Sequence, residues 1–215
     1  MLGFLHTAAG HVATFEQLLR EQDATVSSRH VVAAALLDEA RAAGAVTPAL
    51  ARRVGDALGE LVAAGARLVV CTCSTIGAAA ESAAVGVPVL RIDRPMAERA
   101  VALGPRIAYV AALASTLAPT AALLRDAAQR AGREVVLTEV LCGEAWPLFE
   151  RGDLEAYYDA VAGAARDAAA ACDVVVLAQG SMGPAAARAE SPVPVLSSPR
   201  LGVEAAVRAY ARLRP

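Results

Sequence analysis

Short runs of Val, Ile and Leu alternate along the chain with longer stretches where Ala and Leu recur among Arg, Glu and Asp. The short runs predict strands over residues 2–5, 68–71, 87–92, 107–111, 134–140, 174–177 and 193–196. Several are apolar without a break, as expected of parallel strands covered by helices on both faces. The longer stretches predict helices over residues 14–21, 31–43, 48–64, 77–84, 95–103, 120–131, 154–171, 184–189 and 203–212. Thr47 before Pro48 and Asp153 before Leu154 are good N-caps, the first followed by proline at the opening helical position. Strand and helix alternate throughout, so the fold class is α/β with parallel sheets.

The pattern also repeats. Arg67-Leu-Val-Val-Cys-Thr-Cys73-Ser74-Thr75-Ile-Gly77 returns 106 residues later as Asp173-Val-Val-Val-Leu-Ala-Gln179-Gly180-Ser181-Met-Gly183. The register holds without a gap through Val87-Pro88-Val89-Leu90, which meets Val193-Pro194-Val195-Leu196. A repeat of this size is a half-domain and not a small solenoid unit. The expected architecture is two pseudo-symmetric parallel-sheet lobes with helices on both faces and a cleft between them. The lobes divide near Arg94-Pro95: residues 1–95 plus about 198–215 form the first, and 96–197 the second. By the repeat, the terminal helix takes the place that residues 91–105 hold in the first half, which makes the first lobe discontinuous.

Composition narrows the chemistry. The 215 residues are 56% hydrophobic and 4% aromatic, so the core is built from Ala, Val and Leu. A net charge of −2 offers no footprint for nucleic acid. The sequence holds no lysine, which excludes the internal aldimine of ordinary pyridoxal-phosphate chemistry. Four cysteines (Cys71, Cys73, Cys142, Cys172), with a start unlike a secretory leader, are expected as free thiols in a cytoplasmic protein. The apolar stretches are broken by charge before membrane-spanning length, so no membrane is expected. Cys71 and Cys73 lack a second pair of ligands, and no metal site is expected.

Ligands of parallel sheets bind beyond the carboxyl ends of the strands. Both copies of the repeat motif lie there, each between an apolar strand and a helical segment. Backbone N–H groups and small hydroxyls at such a junction form a seat for a carboxylate. The plainer account is that Ser, Thr and Gly only turn and cap the chain; two copies at equivalent places, one with a cysteine, favour the seat. Cys73 stands where a thiol is activated as base or nucleophile. Cys71 lies within its strand and reads as a buried structural cysteine. Cys142 and Cys172 read as core or helix-end residues, with Cys142 able to reach the cleft from the strand before it. His6 closes the first strand and is placed to polarise a substrate. His11 reads as a loop or helix-start residue, and His30 as a helix start with a capping, packing or cleft role.

At these residues the chain resembles the aspartate/glutamate/hydantoin racemase family. The family's two cysteine motifs correspond to Cys73-Ser74-Thr75, with Ser74 for the usual asparagine, and to Ala178-Gln179-Gly180, with glutamine for the second cysteine. Leu5-His6-Thr7, His30-Val31-Val32 and Val193-Pro194-Val195-Leu196 add to the resemblance. It implies cofactor-independent chemistry at a carbon next to a carboxylate, in which one thiolate removes the α-proton and a thiol opposite returns one. A carboxamide is neither acid nor base near neutral pH. Some relatives keep one cysteine, in the second lobe, and decarboxylate arylmalonates through an enolate-like intermediate. The leading expectation is a racemase or isomerase acting on a small carboxylate-bearing substrate such as an amino acid or hydantoin. Cys73 is then base or nucleophile, Gln179 a hydrogen-bond donor, and His6 an auxiliary group. Ser74, Thr75, Ser115, Thr116, Gly180 and Ser181 hold the substrate, and a homodimer is the family expectation. A one-thiol lyase of the malonate-decarboxylase type and a silent carboxylate-binding homologue remain the alternatives.

Overall fold

The computed structural model of the chain describes residues 1–213. Along it come β1 (Leu2–His6), α1 (His11–Gln22), β2 (Ser28–Val32), α2 (Ala34–Ala43), α3 (Pro48–Ala63), β3 (Leu68–Cys71), α4 (Gly77–Glu81), β4 (Val89–Arg91) and α5 (Arg94–Leu103). They are followed by β5 (Arg106–Ala111), α6 (Ala114–Arg130), β6 (Val136–Leu141), α7 (Ala145–Glu150), α8 (Leu154–Ala169) and β7 (Val174–Leu177). A 3-10 turn (Gly180–Met182), α9 (Ala185–Arg188), β8 (Val195–Ser197) and α10 (Ser198–Ala211) complete the chain. The strands form two parallel four-stranded sheets, ordered β2-β1-β3-β4 and β6-β5-β7-β8.

The chain separates into two compact units, one of Met1–Asp93 together with the chain from Pro199 onward, the other Arg94–Ser198. Residues 214 and 215, which the sequence assigns to the first lobe, lie outside the described residues. The helix after each sheet's last strand changes units: α5 follows β4 but packs on β7 and α6, and α10 follows β8 but packs on the first sheet. Both units carry the repeat. α3 and α8 have equal length and stand 106 residues apart, as do β3 and β7. Thr47 accepts from the Leu50 N–H at 3.1 Å and Asp153 from the Ala156 N–H at 3.4 Å, so the two helices are capped at matching positions. Pro88 and Pro194 have no N–H to give, yet their carbonyls accept from Val69 and Val175 as β4 and β8 enter the sheets.

Alternation along the strands places both layers of helices. In the first unit Leu2, Phe4, Leu68 and Val70 face α1 and α10, while Leu5, Val69 and Cys71 face α2, α3 and α4. In the second, Ala108, Val110, Val175 and Leu177 face α7, α8 and α9. A side chain at Gly202 would overlap the carbonyl of Ile92, so glycine there sets how closely α10 lies on the end of β4.

Some elements depart from the sequence pattern. The helix expected over residues 31–43 is the end of β2 followed by α2. β2 is an edge strand whose Ser28, Arg29 and His30 supply no apolar run, so the pattern hides it. The helix expected from residue 120 begins at Ala114 and runs through Pro119. Proline's fixed φ suits a helix, and only the bond to the Ser115 carbonyl is forgone. The short helix α7, with Pro147 inside it, was not foreseen.

Candidate active site

β3 ends its pairing at Cys71, and the chain turns through Thr72, Cys73, Ser74 and Thr75 into α4. All four turn residues are buried, Cys73 retaining 9% of its surface. The Cys71 thiol points back, donating to the Cys73 carbonyl at 3.6 Å, and burial together with the neighbouring Cys73 pushes it well above the usual thiol range. Beside the turn, β4 ends in a buried ion pair: Arg91 Nε and Nη2 reach the two Asp93 carboxylate oxygens at 2.7 and 2.9 Å. The guanidinium lies against Gly77, where a methyl group would meet Nε at 3.0 Å. Burial opposes the Arg91 charge, and the Asp93 carboxylate more than restores it.

His6, at the carboxyl end of β1, is completely buried. Its Nδ1 lies 2.8 Å from Thr72 Oγ1 and its Nε2 2.8 Å from His30 Nδ1, whose own Nε2 is 3.1 Å from Ser28 Oγ. Phe4 stacks on His30 at 5.0 Å, and Phe15 lies 5.4 Å from the His6 ring. Burial, reinforced by His30 and His11, lowers the His6 pKa to about 3. Burial lowers His11 and His30 as well. His11 opens α1, with both ring nitrogens buried and without a partner among the described residues.

In the second unit the equivalent turn follows β7. The Gln179 carboxamide oxygen accepts from the Ala112 N–H at 2.6 Å and the Leu113 N–H at 3.3 Å, just ahead of α6. Two donors facing it identify that atom as the oxygen. The amide nitrogen is therefore the group left to act on anything else. Gly180 and Ser181 form the 3-10 turn, and Ser181 Oγ lies 2.8 Å from the hydroxyl of buried Tyr157. Ser115 and Thr116 sit in the first turn of α6 and not in a loop before it; Ser115 Oγ and Thr120 Oγ1 are buried without a partner among the described residues. Cys142 follows β6 with its thiol directed at Glu144 Oε1 (3.3 Å), and burial and that carboxylate raise its pKa to about 12.

The first unit thus brings His6 to Thr72 at the turn of Cys73, Ser74 and Thr75. The second brings Gln179 to the segment entering α6, where Ser115 and Thr116 follow, while Ser181 meets Tyr157 of α8. The sequence reading missed Thr72, Tyr157 and the Arg91–Asp93 pair. Thr72 sits inside the repeated motif, between two cysteines, and could have been read as part of it. Among the described residues no three His, Cys, Asp or Glu side chains are grouped to hold a metal ion, and no helix is long and apolar enough to cross a membrane.

The sequence matches the Asp/Glu/hydantoin racemase family over residues 7–206. The chain belongs to that family. Among solved structures, this racemase-family chain is similar to the aspartate racemase of Picrophilus torridus (11% identity, 98% of this chain and 94% of that one, TM-score 0.77). It is also similar to a glutamate racemase of Bacillus anthracis (17% identity, 99% and 82% covered, TM-score 0.72). An arylmalonate decarboxylase shares the fold too (18% identity, 96% and 91% covered, TM-score 0.59). At these identities the likeness is one of fold. No curated protein sequence matches the chain.

Proposed function

We propose that this racemase-family protein performs cofactor-independent chemistry at a carbon next to a carboxylate, with the Cys73 thiolate as the base. The observation that carries the reading is the placement of Cys73. It stands at the carboxyl end of a central strand, in a buried turn flanked by Ser74 and Thr75. A thiolate there removes the α-proton, the electron pair spreads into the adjacent carboxylate, and the hydroxyls and N–H groups of the turn stabilise the charge. The second repeat carries, at its own turn, the Gln179 amide N–H together with Gly180 and Ser181 as hydrogen-bond donors.

Gln179 stands where the repeat places Cys73 in the first unit, and a carboxamide supplies no proton near neutral pH. Turnover through Cys73 alone returns the proton to the face it left, giving exchange with retention. The same observation favours a second reading, a one-thiol lyase in which Cys73 protonates the enolate left by decarboxylation of a substituted malonate.

The test is incubation in heavy water with amino acids, hydantoins and substituted malonates, measuring deuterium at the α-carbon. Native protein is expected to label at least one carboxylate substrate, and Cys73→Ala to lose at least about a hundredfold of that rate, as removal of a general base does. Labelling undiminished in Cys73→Ala would refute the assignment.

A further inference from the structure

All three histidines of the chain gather in the first unit, and two of them form a hydrogen-bonded series whose direction can be worked out. The Thr72 hydroxyl lies 3.1 Å from the Leu5 carbonyl, which can only accept, so its hydrogen is directed there. Its lone pair must then receive the Nδ1–H of His6. That leaves Nε2 of His6 as an acceptor, so His30 donates from Nδ1, and His30 Nε2 accepts from the Ser28 hydroxyl. This direction holds for neutral rings, the form that burial favours; a protonated His30 would instead donate from Nε2, and the Ser28 hydroxyl would accept. The stacked Phe4 and the adjacent Phe15 hold the rings in place.

The second unit shows that a sheet of this topology forms without the series. Where β1 ends in His6, β5 ends in Ala111, and where Thr72 follows β3, Ala178 follows β7. Neither alanine has a polar side-chain atom, yet the backbone bond from Thr72 N–H to the Leu5 carbonyl (3.0 Å) has its counterpart from Ala178 N–H to Val110 (2.9 Å). The imidazole series is confined to the unit whose turn carries the thiol.

We propose that His6 is a positioning residue for the Cys73 turn. It acts through the Thr72 hydroxyl, and Ser28 and His30 hold it in the Nδ1–H tautomer that this requires. The proposal rests on the reading of Cys73 as the working thiol, because only then does the rotamer of its neighbour matter to turnover.

Two measurements test it without a known substrate. In protein labelled with 15N-histidine, His6 and His30 should each show a protonated Nδ1 and an unprotonated Nε2 at neutral pH. The rate of Cys73 alkylation by iodoacetamide should change about tenfold in His6→Phe and in Thr72→Val, the equivalent of one hydrogen bond. The two changes combined should have no further effect, since they remove one interaction. His6→Asn, whose amide N–H replaces Nδ1–H, should return the rate to within about threefold of native. On a substrate found by deuterium labelling, His6→Phe should lower kcat and leave KM nearly unchanged. A His6 protonated at Nε2 would overturn the proposal. So would alkylation unchanged in the folded Thr72→Val protein, or an Asn variant no better than Phe. Failure of the catalytic reading appears separately, as absence of α-carbon labelling by native protein.

Discussion

The two units share a sheet order, a strand spacing and a pair of matched, capped helices, yet the carboxyl ends of their central strands differ in kind. In the first unit these positions hold His6, Thr72 and Cys73; in the second they hold Ala111, Ala178 and Gln179. The first set contains a thiol, a hydroxyl and one imidazole, the last hydrogen-bonded to the hydroxyl and to His30. The second contains one carboxamide, whose oxygen is spent on the backbone before α6. The comparison teaches that the repeat fixes where the turn after each central strand is made, while the side chains at three positions give the two turns different chemistry.

The change expected to move the comparison most is Gln179→Cys, which gives the second turn the thiol that the first has. Racemisation of a labelled carboxylate substrate should rise by about a hundredfold or more, the usual contribution of a positioned acid, with a smaller change in KM. The same variant loses the acceptor for the Ala112 N–H, and its stability to urea should fall by about 1–3 kcal/mol. Racemisation by native protein as fast as by the variant would break the contrast between the turns.

Acid should separate the units next. The unfolded chain takes up protons on His6, His11 and His30 near pH 6.5, whereas the folded first unit resists, His6 down to about 3. Between these values the unfolded state binds more protons, so stability is lost as pH falls, by up to ~1.4 kcal/mol per pH unit for a fully titrating group. The second unit has no histidine. The salt-bridged carboxylates with lowered pKa, Asp126 and Asp173 there and Glu21 in the first unit, act only at lower pH. Hydrogen exchange between pH 7 and 5, corrected for its intrinsic pH dependence, should show protection falling in β1 and β3 before β5 and β7. Equal loss in both sheets would contradict the buried-neutral histidines.

A smaller effect is expected at Gly202, where the added methyl of Gly202→Ala must displace α10 from Ile92. Overpacking of this kind costs about 1–3 kcal/mol, and the melting temperature should fall without any shift in the relative alkylation of the cysteines.

Much of this was legible in the sequence because it is local. Apolar runs and caps marked β3, β7, α3 and α8, and the ungapped register of residues 67–90 on 173–196 is matched by the strands at both its ends. The rest depended on pairings that span long stretches of chain. His30 meets His6 only because β2 lies beside β1 with Phe4 opposite His30 and Val32 opposite His6. An edge strand with three polar residues gave no period to announce that pairing. Thr72 reaches His6 across the β1–β3 pairing, 66 residues away in sequence. The role of Gln179 was open for the same reason: its oxygen finds partners 66 and 67 residues earlier, in the segment entering α6.

The central claim, that the chemistry of this chain is concentrated at Cys73, is tested most directly by the order in which its four thiols react. Limited alkylation of the native protein followed by peptide mass spectrometry should show Cys73 modified first. Cys71 and Cys142, whose thiols burial holds protonated, should remain unmodified until the protein unfolds. Modification of Cys142 or Cys172 ahead of Cys73 would contradict the account.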